Sequence, residues 1–131
     1  MAKSLRIEGR ILFLGTRKDI GACLEMADVF VFPSLFEGLP LALLEAMAKK
    51  LPCIASDIEV HQEVIDNNIS GLLVKPKLKD ELAEAMIQFY REPEIRRKLA
   101  EEAYKKVENQ FFSQVLVSKW ERLYNDYSTN S

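Results

Sequence analysis

Four short apolar runs constrain the fold of this chain more than any other feature. They are ILFL (Ile11 to Leu14), DVFVF (Asp28 to Phe32), PCIAS (Pro52 to Ser56) and GLLV (Gly71 to Val74). None alternates apolar with polar residues, so each reads as a strand buried on both faces. Helical patterns separate them. Ile20 to Ala27 follows a candidate N-cap at Asp19, and Leu41 to Lys50 follows Pro40, which reads as a first helical residue. A short helix is expected at Val60 to Asp66. Three more are expected over Lys79 to Arg91, Pro93 to Gln110 and Ser113 to Tyr127. Strands that alternate with helices pair in parallel, because each return crossing needs a helix. The expected architecture is α/β: a Rossmann-like parallel sheet of about four strands, helices on both faces and a helical C-terminal tail.

The length of 131 residues suits one domain, 1–131, with a real core. A hydrophobic content of 48% and a charged content of 29% exclude a disordered chain. The net charge of -2 gives no basic excess for tracking nucleic-acid phosphates. No apolar run reaches spanning length, and MAKSLRIEGR has no signal-peptide core. Cys23 and Cys53 lie in a helical and a strand-like stretch, as reduced core cysteines do, which predicts a cytosolic protein.

Parallel sheets bind ligands beyond the carboxyl ends of their strands. Those ends lead into Gly15-Thr16, Pro33-Ser34, Ser56-Asp57 and Lys75-Pro76. The Ser34 to Leu39 loop feeds a helix N-terminus, where unpaired amides and partial positive charge suit an anion or a hydroxyl. Pro40 has no amide, so donors must come from neighbours such as Leu41 or Gly38. In the helix itself Leu41, Leu44, Glu45 and Ala48 share one face, and the helix is apolar nearly all round. A carboxylate buried there requires donors, from a backbone amide, a nearby lysine, water or a ligand. Glu37 stands in the loop at the mouth of the same crevice. The lone histidine, His61, has no clustered metal ligands and reads as a surface residue. The charge run Arg96 to Lys106 reads as a solvated helix face, and Phe111, Phe112, Trp120, Tyr124 and Tyr127 as residues packing the last helix on the core.

The stretch PSLFEGLPLALLEAMAKKLPCIAS resembles the donor-binding signature of retaining glycosyltransferases with two Rossmann domains (GT-B), known as group 1 or family 4. That signature is Glu, seven residues, Glu, preceded by Pro-Ser and continued by Glu-Ala-Met-Ala. Here it falls on Pro33-Ser34, Glu37 and Glu45-Ala46-Met47-Ala48. ILFLGTRKDI, ADVFVFPS, LPCIASD, Glu63 with GLLVKP, and the FFSQ…W…LY tail are similar to the family in the same order, from about Arg10 to Tyr127.

The resemblance implies a nucleotide-sugar donor, with UDP, GDP or ADP as carrier, and no cofactor or metal. Glu45 would accept from the ribose hydroxyls. Glu37, the residue assigned to catalysis, would contact hydroxyls of the transferred sugar. Gly38, Leu39 and Leu41, with Ser34 and Glu63 nearby, would complete the donor site. Transfer would be retaining and serve polysaccharide or glycoconjugate synthesis in the cytoplasm, at the inner membrane face in the full-length enzyme. The family also implies an upstream strand and helix, with basic residues that clamp the diphosphate, and an N-terminal acceptor domain. On this reading the chain is an inactive donor-domain fragment, and aromatic surface left uncovered would drive self-association. Arg17 and Lys18 are not assumed to replace the clamp. IEVHQ (Ile58 to Gln62) departs from the Gly-Gly turn common there. Lys50 stands where the signature helix often ends in Gly, so it must accept a left-handed backbone or use another cap.

Two other readings compete. A receiver-type signalling domain fits the length and the Lys-Pro after a strand, but requires an acidic pair after the first strand, where Gly15-Thr16 stands. A ligand-free Rossmann-like interaction domain predicts no effect of nucleotides on stability.

Overall fold

The computed structural model describes residues 4–129, without the side chains of 118 and 129. Three strands form a parallel sheet in the order β1 (Phe30–Phe32), β2 (Cys53–Ser56), β3 (Leu72–Val74). Phe30 pairs with Cys53 and Ile54 with Leu72. The helices are α1 (Ile20–Met26), α2 (Leu41–Ala48), α3 (Glu59–Val64), α4 (Lys79–Arg91), α5 (Pro93–Lys106) and α6 (Phe112–Thr129), and a π-helical turn, Val107–Phe111, joins the last two.

Strand alternation distributes the apolar side chains between two cores. On one face Cys53, Ala55, Phe30, Phe32 and Leu73 meet α2, Ala103 of α5 and Val115 of α6. On the other, Ile54, Leu72, Val74 and Val31 meet Ala85 and Phe89 of α4 and Leu99 of α5. With both faces covered, the strands need no polar alternation, and the central β2 is buried throughout.

The ILFL stretch is a correction: it forms no strand, and Leu12 is 81% and Phe13 87% exposed. An apolar run becomes a strand only where a neighbour pairs its N–H and C=O groups, and residues 11–14 pair with none of the described strands. A second correction concerns the aromatics: Phe111 packs on the core, but Phe112, Trp120, Tyr124 and Tyr127 are exposed. Helical spacing identifies a shared face but not what lies opposite it.

Lys50 takes the left-handed backbone, with φ of 58°. Its amide donates to the Met47 carbonyl, and the Leu51 amide to the Ala46 carbonyl, at 3.1 Å each. This 5→2 and 6→1 pair is a Schellman motif, built here on a lysine rather than glycine. Pro40 flanks α2 as its N-cap instead of opening it, and its carbonyl accepts from the Leu44 amide at 3.0 Å. Asp19 is the N-cap residue of α1 as expected, its carbonyl accepting from the Cys23 amide at 3.2 Å, while its carboxylate bonds Arg17, at 2.6 and 2.7 Å, rather than the helix amides.

Candidate functional site

β1 ends at Phe32, and Pro33 turns the chain out of the sheet into the loop that enters α2. The Ser34 hydroxyl lies 2.8 Å from Glu37 Oε1 and 3.0 Å from the Phe36 carbonyl, its one proton serving two acceptors. The loop thereby holds Glu37 at the mouth of the α2 N-terminus, half-buried. Gly38 is exposed, and a Cβ there would meet no atom within 4 Å, so a ligand can approach this backbone. The Leu41 amide already donates to the Leu39 carbonyl at 2.8 Å, which occupies one of the donors expected at this end.

Glu45 lies one turn into α2, on the buried face as periodicity predicts, and is 6% exposed. Its carboxylate meets a partner that pattern reading missed: Arg122 of α6, with Nη2 2.7 Å from Glu45 Oε1. The signal for it was present. Arg122 stands seven residues after the buried Val115, on the same stripe of α6. α6 also forms one wall of a 270 Å³ groove against Leu39 and Leu41, lined by Ser113, Gln114, Val117 and Glu121. The structure thus brings Ser34, Glu37, Gly38, Leu39, Leu41 and Glu45 together at one helix start. Glu63 stands on α3, exposed.

His61 is a correction to the surface expectation: it is 0% exposed. Its Nδ1 lies 2.8 Å from the Ser56 carbonyl, so Nδ1 carries a proton and donates it. The ring rests 5.4 Å from that of Phe32, and Nε2 has no hydrogen-bond partner among the described residues. The basic pair near Gly15 is engaged elsewhere. Arg17 bonds Asp19, which holds that carboxyl below its usual range, and Lys18 lies 3.6 Å from Asp126 of α6.

The family model for glycosyl transferases group 1 matches residues 1–106. The chain is 36% identical, over 96% of its length, to N-acetyl-alpha-D-glucosaminyl L-malate synthase of Bacillus anthracis, of which it covers 33%. It is 34% identical to UDP-Gal:alpha-D-GlcNAc-diphosphoundecaprenol alpha-1,3-galactosyltransferase of Escherichia coli, again over 96% of this chain and 32% of that protein. Its fold superimposes with a TM-score of 0.82 on Anabaena Alr3699/HepE, solved in complex with UDP-glucose, at 23% identity and covering 97% of this chain and 35% of that one. The chain therefore spans about a third of the length of these relatives. A parallel α/β sheet, a signature helix entered through Ser34 to Leu39 and a family match over most of the sequence agree: the chain belongs to the glycosyl transferases group 1 family, whose members have the GT-B fold.

Proposed function

We propose that this chain binds the nucleotide-sugar donor for retaining glycosyl transfer, and that the acceptor is bound by other parts of a longer protein. The observation that carries the reading is the placement of two carboxylates on one loop-helix unit. Glu37 stands at the mouth, bonded to Ser34, and the buried Glu45 lies one turn deeper. A buried carboxylate beside an open helix start can accept from a vicinal diol such as ribose while the backbone amides face the diphosphate. Glu37 contacts hydroxyls of the transferred sugar, and Gly38 lets the donor approach the backbone closely. Glu63 contributes from the α3 side. Retention proceeds through an oxocarbenium-like state, which gains from donors and dipoles aimed at the departing diphosphate. Support for a uridine carrier comes from the names of the relatives: one uses UDP-Gal, and one structural neighbour holds UDP-glucose. The transfer serves polysaccharide or glycoconjugate synthesis in the cytoplasm, at the inner membrane face in the full-length protein; the diphosphoundecaprenol acceptor in the name of one relative supports the glycoconjugate part. Since the acceptor is bound elsewhere, these 131 residues by themselves transfer little or no sugar.

The test is an amide chemical-shift titration with UDP-, GDP- and ADP-sugars. One of them should shift residues 34–45, and Glu45→Gln should weaken that binding about tenfold, the worth of one charge-assisted bond to a hydroxyl. Silence across 34–45 with every donor would end the proposal.

A further inference from the structure

A second cavity lies at the carboxyl ends of the three described strands, and neither signature glutamate lines it. It measures 360 Å³ and is walled by Pro33 and Leu35 after β1, Ser56 at the end of β2, Val74 of β3, and Pro76, Leu78 and Leu82 leading into α4. Lys75, Lys77 and Lys79 line it as well. Lys75 lies 3.7 Å from Glu81, whereas Lys77 and Lys79 have no ion pair among the described residues.

Two details mark this as more than a surface dent. Ser56 lines the cavity yet is only 2% exposed, and among the described residues none hydrogen-bonds its hydroxyl, although its carbonyl accepts from His61 and from the Ile58 amide. Ser56 lines the cavity and its hydroxyl is unengaged among the described residues, so a guest there can bond it. The Lys75-Pro76-Lys77-Leu78 turn closes with the Leu78 amide donating to the Lys75 carbonyl at 3.3 Å, and Lys77 has φ of 66°. Proline second and positive φ third make this a type II turn, whose third position favours glycine. A lysine there accepts backbone strain where glycine would not, and that lysine lines the cavity.

We propose that this cavity is a second ligand site, for a phosphate monoester carried on an apolar or aromatic body. The apolar walls take the body, Ser56 bonds a polar atom at the deep end, and Lys77 and Lys79 neutralise the phosphate, for which a lysine acts as a compact point charge. Glu81 sets the limit on one side: it partly neutralises Lys75, so the anion sits toward the other two. Neither Glu37 nor Glu45 lines this cavity, although Leu35 belongs to the loop that carries Glu37, so the two sites are told apart by shifts at Ser56, Val74 and Leu78.

The test uses the isotopically labelled 131-residue chain. Phenyl phosphate, inorganic phosphate and phenol are titrated in parallel, and pelleting is measured on phosphatidylcholine vesicles with and without phosphatidic acid. A free small molecule as the ligand predicts saturable shifts at Ser56, Val74 and Leu78, with phenyl phosphate about tenfold tighter than either half alone. A lipid headgroup as the ligand predicts pelleting only with phosphatidic acid, at the same residues. Lys77→Gly separates binding from folding. Glycine suits the turn, so its thermal midpoint should equal or exceed that of the parent, while binding falls about fivefold with the lost charge. Equal shifts from phosphate and phenyl phosphate, non-saturating shifts across the surface lysines, binding unchanged in Lys77→Gly, or silence in both arms would each overturn the proposal.

Discussion

Arg122, on the last helix, places its Nη2 2.7 Å from Oε1 of Glu45, the buried carboxylate of the signature helix. One ion pair therefore ties the chain's C-terminal helix to the residue proposed to hold the donor ribose. Glu45 is 7% exposed at its side chain and Arg122 44%, so the pair is desolvated on one side and wet on the other. Such a pair adds less than its Coulomb energy suggests, yet removing the cation deprives a buried anion of a partner.

Arg122→Ala should destabilise the chain by about 1–3 kcal/mol, below the loss seen for fully buried pairs because Arg122 is half in water. Urea unfolding measures this. In Glu45→Gln, the further loss from Arg122→Ala should fall below about 1 kcal/mol, since the charge that needed neutralising is gone. Equal losses in both backgrounds would show that the pair contributes nothing beyond packing.

His61 separates packing from hydrogen bonding. The Ser56 carbonyl that accepts from Nδ1 also accepts from the Ile58 amide at 2.9 Å, so it keeps a partner if the imidazole is lost. Nε2 already lacks a bond among the described residues. His61→Phe should therefore cost less than about 1.5 kcal/mol, while His61→Ala, which leaves a void beside Phe32, should cost about 2–4 kcal/mol. Calorimetry of the two variants checks the order; a larger loss in the phenylalanine variant would reverse the assignment.

Acid sensitivity has two identifiable sources. Arg17 holds Asp19 below the ordinary 3.8, and Lys49 holds Glu25 below the ordinary 4.5, each mainly through a side-chain hydrogen bond. A carboxyl whose pKa is lower folded than unfolded stabilises the fold above its unfolded value. That contribution fades as pH falls through the folded value. Both groups are exposed, so salt screens the effect. Thermal midpoints of Asp19→Asn and Glu25→Gln should lie slightly below that of the parent at pH 7 and converge with it as acid protonates the two carboxyls, below their ordinary range. Differences that persist unchanged at low pH would rule out this origin.

Self-association is expected from the apolar surface. Leu12 and Phe13, and on α6 Trp120 and Tyr124, are at least 65% exposed. Patches of this kind promote association in an isolated domain. Sedimentation should show mass rising with concentration, and Trp120→Lys together with Tyr124→Lys should suppress that rise. A monomer at every concentration would show that these rings are tolerated in water.

Local rules suffice for much of this molecule. Apolar runs beginning near Phe30, Cys53 and Leu72 become strands, because continuous β-prone segments flanked by helices pair in parallel. The burial of Glu45 follows from helical spacing, and the left-handed backbone at Lys50 is one of the two outcomes open to a helix that ends there. Tertiary structure decides the rest, because it sets which distant surfaces meet. Periodicity says that Glu45 requires a partner but not that α6 brings Arg122 to it. It marks ILFL as strand-like but cannot supply the neighbour whose hydrogen bonds would make it one. It leads His61 to be read as a surface residue, since a short helix has too few turns to define a buried face; packing against Phe32 and Ser56 buries the ring. Local periodicity fixes which way a side chain points; what it meets depends on contacts between segments far apart in the chain.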